Sequence, residues 1–177
     1  RGRLIFIFRY LKADTVISYN PRMNCEEDSD RLFAGKAVEE ACHMSGMDND
    51  FPEYKEGGVY PYSGSERYCF STNPGDMFNR VVDIGSTIEG KINAIAECKI
   101  RGGGVKGAEL RKELAAQGKK LAILGNNDAA ANREYIRNFI MKPSSTFEGI
   151  DNYGLEYAER FMYFDDRKTG EELAVED

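Results

Sequence analysis

The apolar positions at the start of the chain predict a helix followed by a strand. Apolar residues recur at helical spacing through positions 4–11, and residues 13–19 then form a short apolar run that is typical of a buried strand. A helix that feeds a strand is half of a Rossmann-like repeat, and we expect the earlier half to lie upstream. The apolar positions of the predicted helix are Leu4, Ile5, Phe8 and Leu11.

Residues 20–46 predict a loop and a second helix. The loop, residues 20–30, is rich in turn-forming residues. A helix over residues 31–43 follows, and Gly46 is its expected end. The residues expected on its inner face are Phe33, Ala37, Ala41 and Met44.

The rest of the chain combines two short strands with longer helical patterns. Strands are predicted over residues 66–71 and 79–84. Ser86 and Glu89 have the spacing of a capping box, which predicts that a helix begins there. Helical patterns then cover residues 108–124, 130–141 and 153–164. In the helix that begins at the capping box, the residues expected to face inward are Ile88, Ile92 and Ile95. In the helix over residues 153–164 they are Leu155, Ala158, Phe161 and Met162.

This succession of elements predicts an α/β fold: a Rossmann-like layered sheet flanked by helices that lacks its N-terminal first half. We expect residues 1–165 to form a single domain of this kind. Residues 166–177 are acidic and are expected to form a loose tail.

Composition narrows the class of protein. The 177 residues carry a net charge of −6 and their basic residues are scattered, whereas a nucleic-acid-binding surface needs clustered cations. The apolar run near the start is too short to cross a bilayer, so no membrane association is expected. The four cysteines are widely spaced, which favours reduced thiols and a cytoplasmic protein.

Few residues offer catalytic chemistry. The single histidine, His43, lies near the predicted end of a helix, where an interaction with the terminal carbonyl groups is the simplest interpretation. The glycine-rich residues 101–107 lack the Lys-Ser or Lys-Thr pair of a phosphate-binding loop and are interpreted as a connector.

An acidic segment follows the first predicted strand. In open α/β sheets, ligands bind at the carboxyl ends of strands, so this segment is well placed for a site that holds a cation or polarises a water. Its acids are equally suited to capping the helix that follows, and both interpretations stay open at this point. The acids are Glu26, Glu27, Asp28 and Asp30.

Four segments together resemble the carboxyl-terminal half of the LmbE-like (PIG-L) N-deacetylases. They are "ADTVISYNP", "AGKAVEEACHMSGMDNDFPE", "NRVVDIGSTIEGKINAI" and "YGLEYAERFMYF", in this order across residues 4–164. The resemblance implies a zinc-dependent hydrolase that removes acetyl groups from N-acetylated amino sugars or similar small amides. In that family a His-Pro-Asp-Asp motif and a later Pro-Asp-His element hold the metal, and an aspartate acts as general base on the zinc-bound water.

The chain departs from the family pattern at both metal motifs. It contains no His-Pro-Asp-Asp, and "EEDSDR" stands where relatives carry a Glu-Glu-Asn-Pro-Asp-His type of run. Asp30 then aligns with the aspartate, and Arg31 takes the place of the zinc histidine. Arginine stays protonated and cannot be a ligand, so zinc would need Asp28 or Asp30 as a substitute. Alternatively, Arg31 occupies the metal position as a cation in a catalytically inactive relative that acts as a binding or structural component.

The resemblance also places residues at the mouth of a pocket. The expected partners of the protein are a small N-acetylated substrate, if the protein is active, and a second copy of the chain in a homo-oligomer. A third alternative is an interaction module that docks another chain at an incomplete sheet edge. Residues 51–62 would form an aromatic lid over a sugar. The pocket candidates are Asn20, Glu27, Asp28, Asp30, Arg31, Tyr153 and Glu156.

Overall fold

A four-stranded open sheet flanked by helices forms the framework, which confirms the α/β class. The computed structural model describes residues 1–24, 26–64, 66–72, 75–100, 103–146 and 153–165. The strands are β1 (Thr15–Tyr19), β2 (Glu66–Phe70), β3 (Arg80–Asp83) and β4 (Ala158–Asp165), in the order β1-β2-β4-β3. The helices are α1 (Gly2–Leu11), α2 (Ser29–Ser45), α3 (Ile88–Glu97), α4 (Lys106–Ala116) and α5 (Asp128–Tyr135), with a π-helix at Ile136–Thr146 and 3-10 turns at Pro52–Gly57, Gly85–Thr87 and Ala122–Leu124.

The chain divides into two compact units. Unit 1 comprises Arg1–Arg80 with Arg160–Asp177, and unit 2 comprises Val81–Glu159. A single domain over residues 1–165 stays a prediction, and the acidic tail at 166–177 lies outside the described residues. No helix in the described part of the chain has the length and apolar character that a membrane span requires.

The core of unit 1 lies where α1 and α2 pack against β1. Its buried residues include Ile5 and Phe8 from the predicted apolar face of α1 and Ala41 from α2. Two predicted inner positions are wrong: Leu11 is 65% exposed and Phe33 is 67% exposed. The buried stripe of α2 instead follows small residues that allow close packing, namely Gly35, Ala41, Cys42 and Ser45.

A buried arginine joins α1 to the end of α2. Only 2% of Arg9 is exposed, and its guanidinium donates to the carbonyl oxygens of Ser45 (3.0 Å), Met44 (3.1 Å) and Met47 (2.7 Å). A fourth donated bond reaches the carbonyl of Phe51 (3.5 Å). These carbonyls lie at the negative end of the helix dipole, which favours a cation. The sequence suggested that His43 interacts with the terminal carbonyl groups of this helix, and in the structure Arg9 donates to them.

The helix predicted over residues 153–164 is wrong, because Ala158–Asp165 forms the strand β4. It pairs antiparallel with β2, with Cys69 opposite Met162 and Phe70 opposite Phe161, while β1 pairs parallel with β2. The apolar positions coincide with helical spacing, but the segment is rich in aromatic residues that pack well on a sheet. The ring of Tyr68, for example, meets that of Tyr163 at a centroid distance of 4.9 Å.

The pKa of the Tyr163 hydroxyl is raised by its position on this sheet. Burial, together with the bond that its hydroxyl donates to Glu66 (2.7 Å), raises the pKa of Tyr163 to about 12. The hydroxyl of Tyr163 thus acts as a hydrogen-bond donor across the β2–β4 pair, and the raised pKa extends this donor role further into the alkaline range.

Unit 2 is mainly helical, and its helices differ from the predicted ones in three respects. The helix predicted over 108–124 ends at Ala116, because Gly118 adopts a left-handed backbone conformation (φ 67°) soon afterwards. The segment 130–141 is divided between α5 and the π-helix. The capping box is also absent, because α3 begins after a 3-10 turn and Glu89 pairs instead with Arg133 (3.0 Å) and Arg137. The core of unit 2 contains Ile88, Ile92, Ile136, Met141 and Tyr157.

Replacing the buried guanidinium tests its structural role. We expect Arg9→Met to lower the free energy of unfolding by about 3 kcal/mol, because several carbonyl groups lose their donor in a buried setting. The measurement is equilibrium urea denaturation. Arg3→Met on the exposed side of the same helix is the control and should change stability by less than about 0.5 kcal/mol. Equal losses in the two variants would contradict the role assigned to Arg9.

Candidate functional site

The turn after β1 contributes the first residue of the candidate site. Asn20 lies at the carboxyl end of β1 and is 5% exposed. Its Oδ1 accepts a hydrogen bond from the backbone N–H of Arg22 (2.9 Å). An asparagine commonly makes this local bond, which fixes the turn and holds the side chain in place.

A cavity of about 430 Å³ lies beside this turn in unit 1. Its lining combines amide and cationic side chains with apolar ones, which is the usual composition of a small-molecule site. The volume lies within the usual range of small-molecule sites. The lining residues are Asn20, Arg22, Asn24, Met77, Met162 and Phe164.

Hydrogen bonds to a distant segment hold the lining together. The backbone N–H of Asn24 donates to Oδ1 of Asp76 (2.7 Å), and its side-chain amide donates to the carbonyl of Gly75 (2.7 Å). Asp76 is 5% exposed, so its carboxylate is used inside the structure. These bonds bring Met77 to the same cavity as the turn after β1.

Two carboxylates of the acidic segment accept hydrogen bonds from backbone N–H groups of the same segment. Asp28 is the N-cap of α2, and its side chain accepts from the backbone N–H of Asp30 (3.1 Å). Glu26 accepts from the backbone N–H of Asp28 (2.9 Å) and also pairs with Arg31 (3.4 Å). The structure therefore confirms the helix-cap interpretation for Asp28, and a site role for the acidic segment stays a prediction.

Arg31, which follows the acidic segment, forms ion pairs with two of its carboxylates. Its hydrogen bond and charge interaction with Glu26 raise the pKa of Arg31 further, and a second ion pair reaches Asp28 (3.8 Å). The guanidinium also lies 5.7 Å from the centre of the Tyr19 ring. The guanidinium is thus held by two carboxylates and an aromatic ring.

The described residues do not fit a zinc ion. Within the described part of the chain, no group of three or more His, Cys, Asp or Glu side chains could hold a metal. Zinc requires neutral or anionic donors, and the guanidinium of Arg31 offers neither. No chemical step through zinc follows from these residues.

The structure separates the predicted site residues. Asn20 lines the cavity, whereas the acidic turn with Glu27, Asp28, Asp30 and Arg31 contributes no residue to its lining. Tyr153 and Glu156 are exposed residues of unit 2. A role for these residues at the mouth of a pocket stays a prediction.

The segment proposed as a lid packs against α1 in the structure. Phe51 stacks on Tyr54, and the Tyr54 ring meets Phe6 of α1 edge-on, both at 5.3 Å between centroids. Tyr62 donates a hydrogen bond to Asp14 just before β1. None of these residues lines the described cavity.

Sequence reasoning missed most of the cavity lining. Met162 and Phe164 lie two positions apart on β4 and therefore point to the same face of the sheet. That two-residue alternation would have been the signal, but the segment was interpreted as helical. Asn24 and Met77 are brought together by long-range hydrogen bonds, which leave no local sequence pattern.

Comparisons with known proteins support the fold. No family model and no curated protein matches the chain. A solved structure of N,N'-diacetylchitobiose deacetylase from Pyrococcus horikoshii is 22% identical, with a TM-score of 0.64, and the match covers 94% of this chain and 51% of that one. The 4-carboxy-2-hydroxymuconate hydratase GalB from Pseudomonas putida KT2440 is 16% identical, with a TM-score of 0.52 and 94% and 58% coverage. The chain therefore spans about half the length of these structures, and the likeness shows a shared α/β fold.

A glycine in α2 sets the distance between this helix and the cavity turn. A Cβ atom added at Gly35 would lie 2.6 Å from the carbonyl oxygen of Tyr19 and 3.2 Å from the carbonyl carbon of Asn20. Both are backbone atoms, which cannot turn away as a side chain can. Gly35 thus permits α2 to rest on the end of β1.

We expect Gly35→Ala to cost about 1–3 kcal/mol of stability, because the backbone at the end of β1 must shift to admit the methyl group. Gly90→Ala in α3 is the matched control, since a Cβ there meets no atom within 4 Å. That control should be neutral or slightly stabilising. The measurement is urea denaturation, with amide chemical shifts of residues 20–24 as a local readout. A stable Gly35→Ala variant with unchanged shifts would contradict the close approach.

Proposed function

We propose that the chain is the substrate-binding part of an LmbE-like N-deacetylase and that its ligand is an N-acetylated amino sugar or a similar small amide. The observation that carries this proposal is the cavity at the carboxyl end of β1, with Asn20 in its lining. The sequence resemblance to LmbE-like proteins and the fold shared with a protein named as a diacetylchitobiose deacetylase support it.

The lining chemistry suits such a ligand. An amino sugar has hydroxyl and amide groups around its edge and apolar C–H groups on its faces. Asn20 uses its Oδ1 for the backbone of Arg22, which leaves its side-chain N–H₂ as a donor. Phe164 and Met162 offer apolar surface for the sugar face, as aromatic and aliphatic side chains do in small-molecule sites.

Hydrolysis would require an activating group in addition to this cavity. An amide carbonyl is a poor electrophile, and the family solution is a metal with a carboxylate base. The described residues form no such metal cluster, so the part of the reaction that we assign to them is binding and orientation of the amide. Removal of an acetyl group is proposed for the whole protein.

Arg22 provides a matched test of ligand binding. It lines the cavity and pairs with Glu39 of α2 (2.8 Å), with 61% of its side chain exposed. Arg1 makes a similar pair with Glu40 of α2, with 63% of its side chain exposed, but does not line the cavity. We expect Arg22→Ala to weaken binding of N-acetylglucosamine about tenfold and Arg1→Ala to leave it unchanged.

The measurement is a titration followed by amide chemical shifts, with acetate release as the assay of hydrolysis. Glucosamine, which lacks the acetyl group, should bind more weakly than N-acetylglucosamine because the acetamide contacts are lost. Equal binding of the two sugars, or equal effects of the two arginine substitutions, would overturn the proposed ligand class.

A second candidate function is an inactive relative that binds a ligand without hydrolysing it. The specific observation in its favour is Arg31, which stands at the histidine position of the resemblance and is held by Glu26 and Asp28. Its positive charge repels a divalent cation from the same position. In this case the family pocket would be retained and the metal replaced by an ion pair.

Restoring the histidine tests this candidate. We expect Arg31→His to raise zinc affinity about tenfold or more, because an imidazole would join the carboxylates of Glu26 and Asp28. Arg31→Gln is the control, since it removes the cation without adding a ligand. The measurement is competition for zinc against a chromophoric chelator. Stoichiometric zinc in the unaltered protein, or equal gains in the two variants, would count against the inactive relative.

A further inference from the structure

A second cavity lies in unit 2, beside α4 and the loop that follows it. Its volume is about 270 Å³. The loop turns back at two glycines with left-handed φ angles, Gly118 (67°) and Gly125 (64°), which a side chain would strain. The lining residues are Arg111, Leu114, Ala115, Lys119, Lys120, Leu121, Gly125 and Asn126.

The charge of this lining is positive in a protein with a net charge of −6. Three lining residues are cations, and no acidic residue belongs to the lining within the described part of the chain. Such a local reversal of sign attracts anions, and salt screens this attraction because both lysine side chains are exposed.

Arg111 is the fixed cation of the cavity. Its Nη1 donates to the carbonyl of Asn126 (3.2 Å) and its Nη2 pairs with Asp128. The Nε atom is buried and has no hydrogen-bond partner among the described residues. The guanidinium therefore joins α4 to the loop while retaining one unused donor.

The two lysines are available to a ligand. Lys119 Nζ donates to the side-chain oxygen of Gln117 (3.2 Å), and Lys120 Nζ donates to that of Asn126 (3.4 Å). Both acceptors are neutral amides, and neither lysine pairs with a carboxylate in the region that the structure describes. An ammonium group bound only to a neutral amide gains more by contact with an anion.

The apolar part of the lining limits what else the ligand contains. Leu114, Ala115 and Leu121 provide a hydrocarbon surface beside the cations. The volume is near the lower end of the range for small-molecule sites, so the ligand has room for one charged group and a short apolar group.

We propose that this cavity binds a small phosphate monoester that carries a short apolar group. The two lysines would contact the phosphate oxygens as point charges, and the leucine side chains would contact the apolar group. Phosphate matches this arrangement better than carboxylate, since paired lysines can neutralise its greater charge. This inference does not rest on the function proposed for unit 1.

The test is a calorimetric titration with phenyl phosphate at low ionic strength. We expect saturable binding to the unaltered protein and a loss of affinity on the order of tenfold or more in the Lys119→Ala/Lys120→Ala variant. Lys142→Ala is the matched control, because its Nζ also bonds a neutral amide, Asn138 Oδ1 (3.1 Å), and it lies outside the lining. Circular dichroism checks that each variant is folded.

Two comparison ligands make the outcome decisive. Inorganic phosphate should bind more weakly than phenyl phosphate, since it lacks the apolar group, and benzoate should bind more weakly because it carries less charge. Absence of saturable binding, equal loss in the control variant, or benzoate binding as tight as phenyl phosphate would overturn the proposal. Amide shifts of Gly125 and Asn126 during the titration locate the ligand and should move in the unaltered protein.

Discussion

The hydrogen bonds of the Arg9 guanidinium to the end of α2 are the interaction on which unit 1 depends. A buried cation normally needs a carboxylate partner, because removing its water is costly. Here backbone carbonyls at Met44, Ser45 and Met47 replace that partner, and they lie where the helix dipole is negative. The bonds hold the carboxyl end of α2 against α1. The position of α2 in turn determines where its amino end meets β1.

The amino end of α2 is held by a different set of contacts, and these shape the candidate site. Gly35 lets the helix rest on the last carbonyl of β1, and Asp28 caps the free amide of Asp30. The turn between β1 and α2 is therefore fixed at both of its ends. Asn20 is buried at the cavity, where its side chain accepts from the backbone N–H of Arg22. The packing of α2 and the position of Asn20 in the cavity lining are thus parts of one arrangement.

Sequence patterns predicted the elements whose burial follows a local period. The helix with Ile5 and Phe8 is of this kind. The strand after it and the helix capped at Asp28 were located from the sequence, but their burial was not, since Val16 alone is buried in the strand and Phe33 is exposed. Asn20 was found because it ends a predicted strand. β4 was missed because Ala158 and Phe161 also fit a helical spacing, and only pairing with β2 decides between the two periods. The remaining cavity residues come from segments that meet through long-range contacts, which a local pattern does not encode.

A shared fold does not determine the reaction, since one structure with this fold is named a deacetylase and another a hydratase. The chemistry depends on groups that the loops bring together. In this chain the acids after β1 are already used, because Glu26 and Asp28 bind backbone amides and Arg31. A metal on this turn would have to displace the ion pairs that these carboxylates make with Arg31. The cavity needs no such exchange, since Asn20 accepts from the backbone N–H of Arg22 and the backbone N–H of Asn24 donates to Asp76. The lining of the cavity at the end of β1 is therefore built without the charged side chains of the acidic turn.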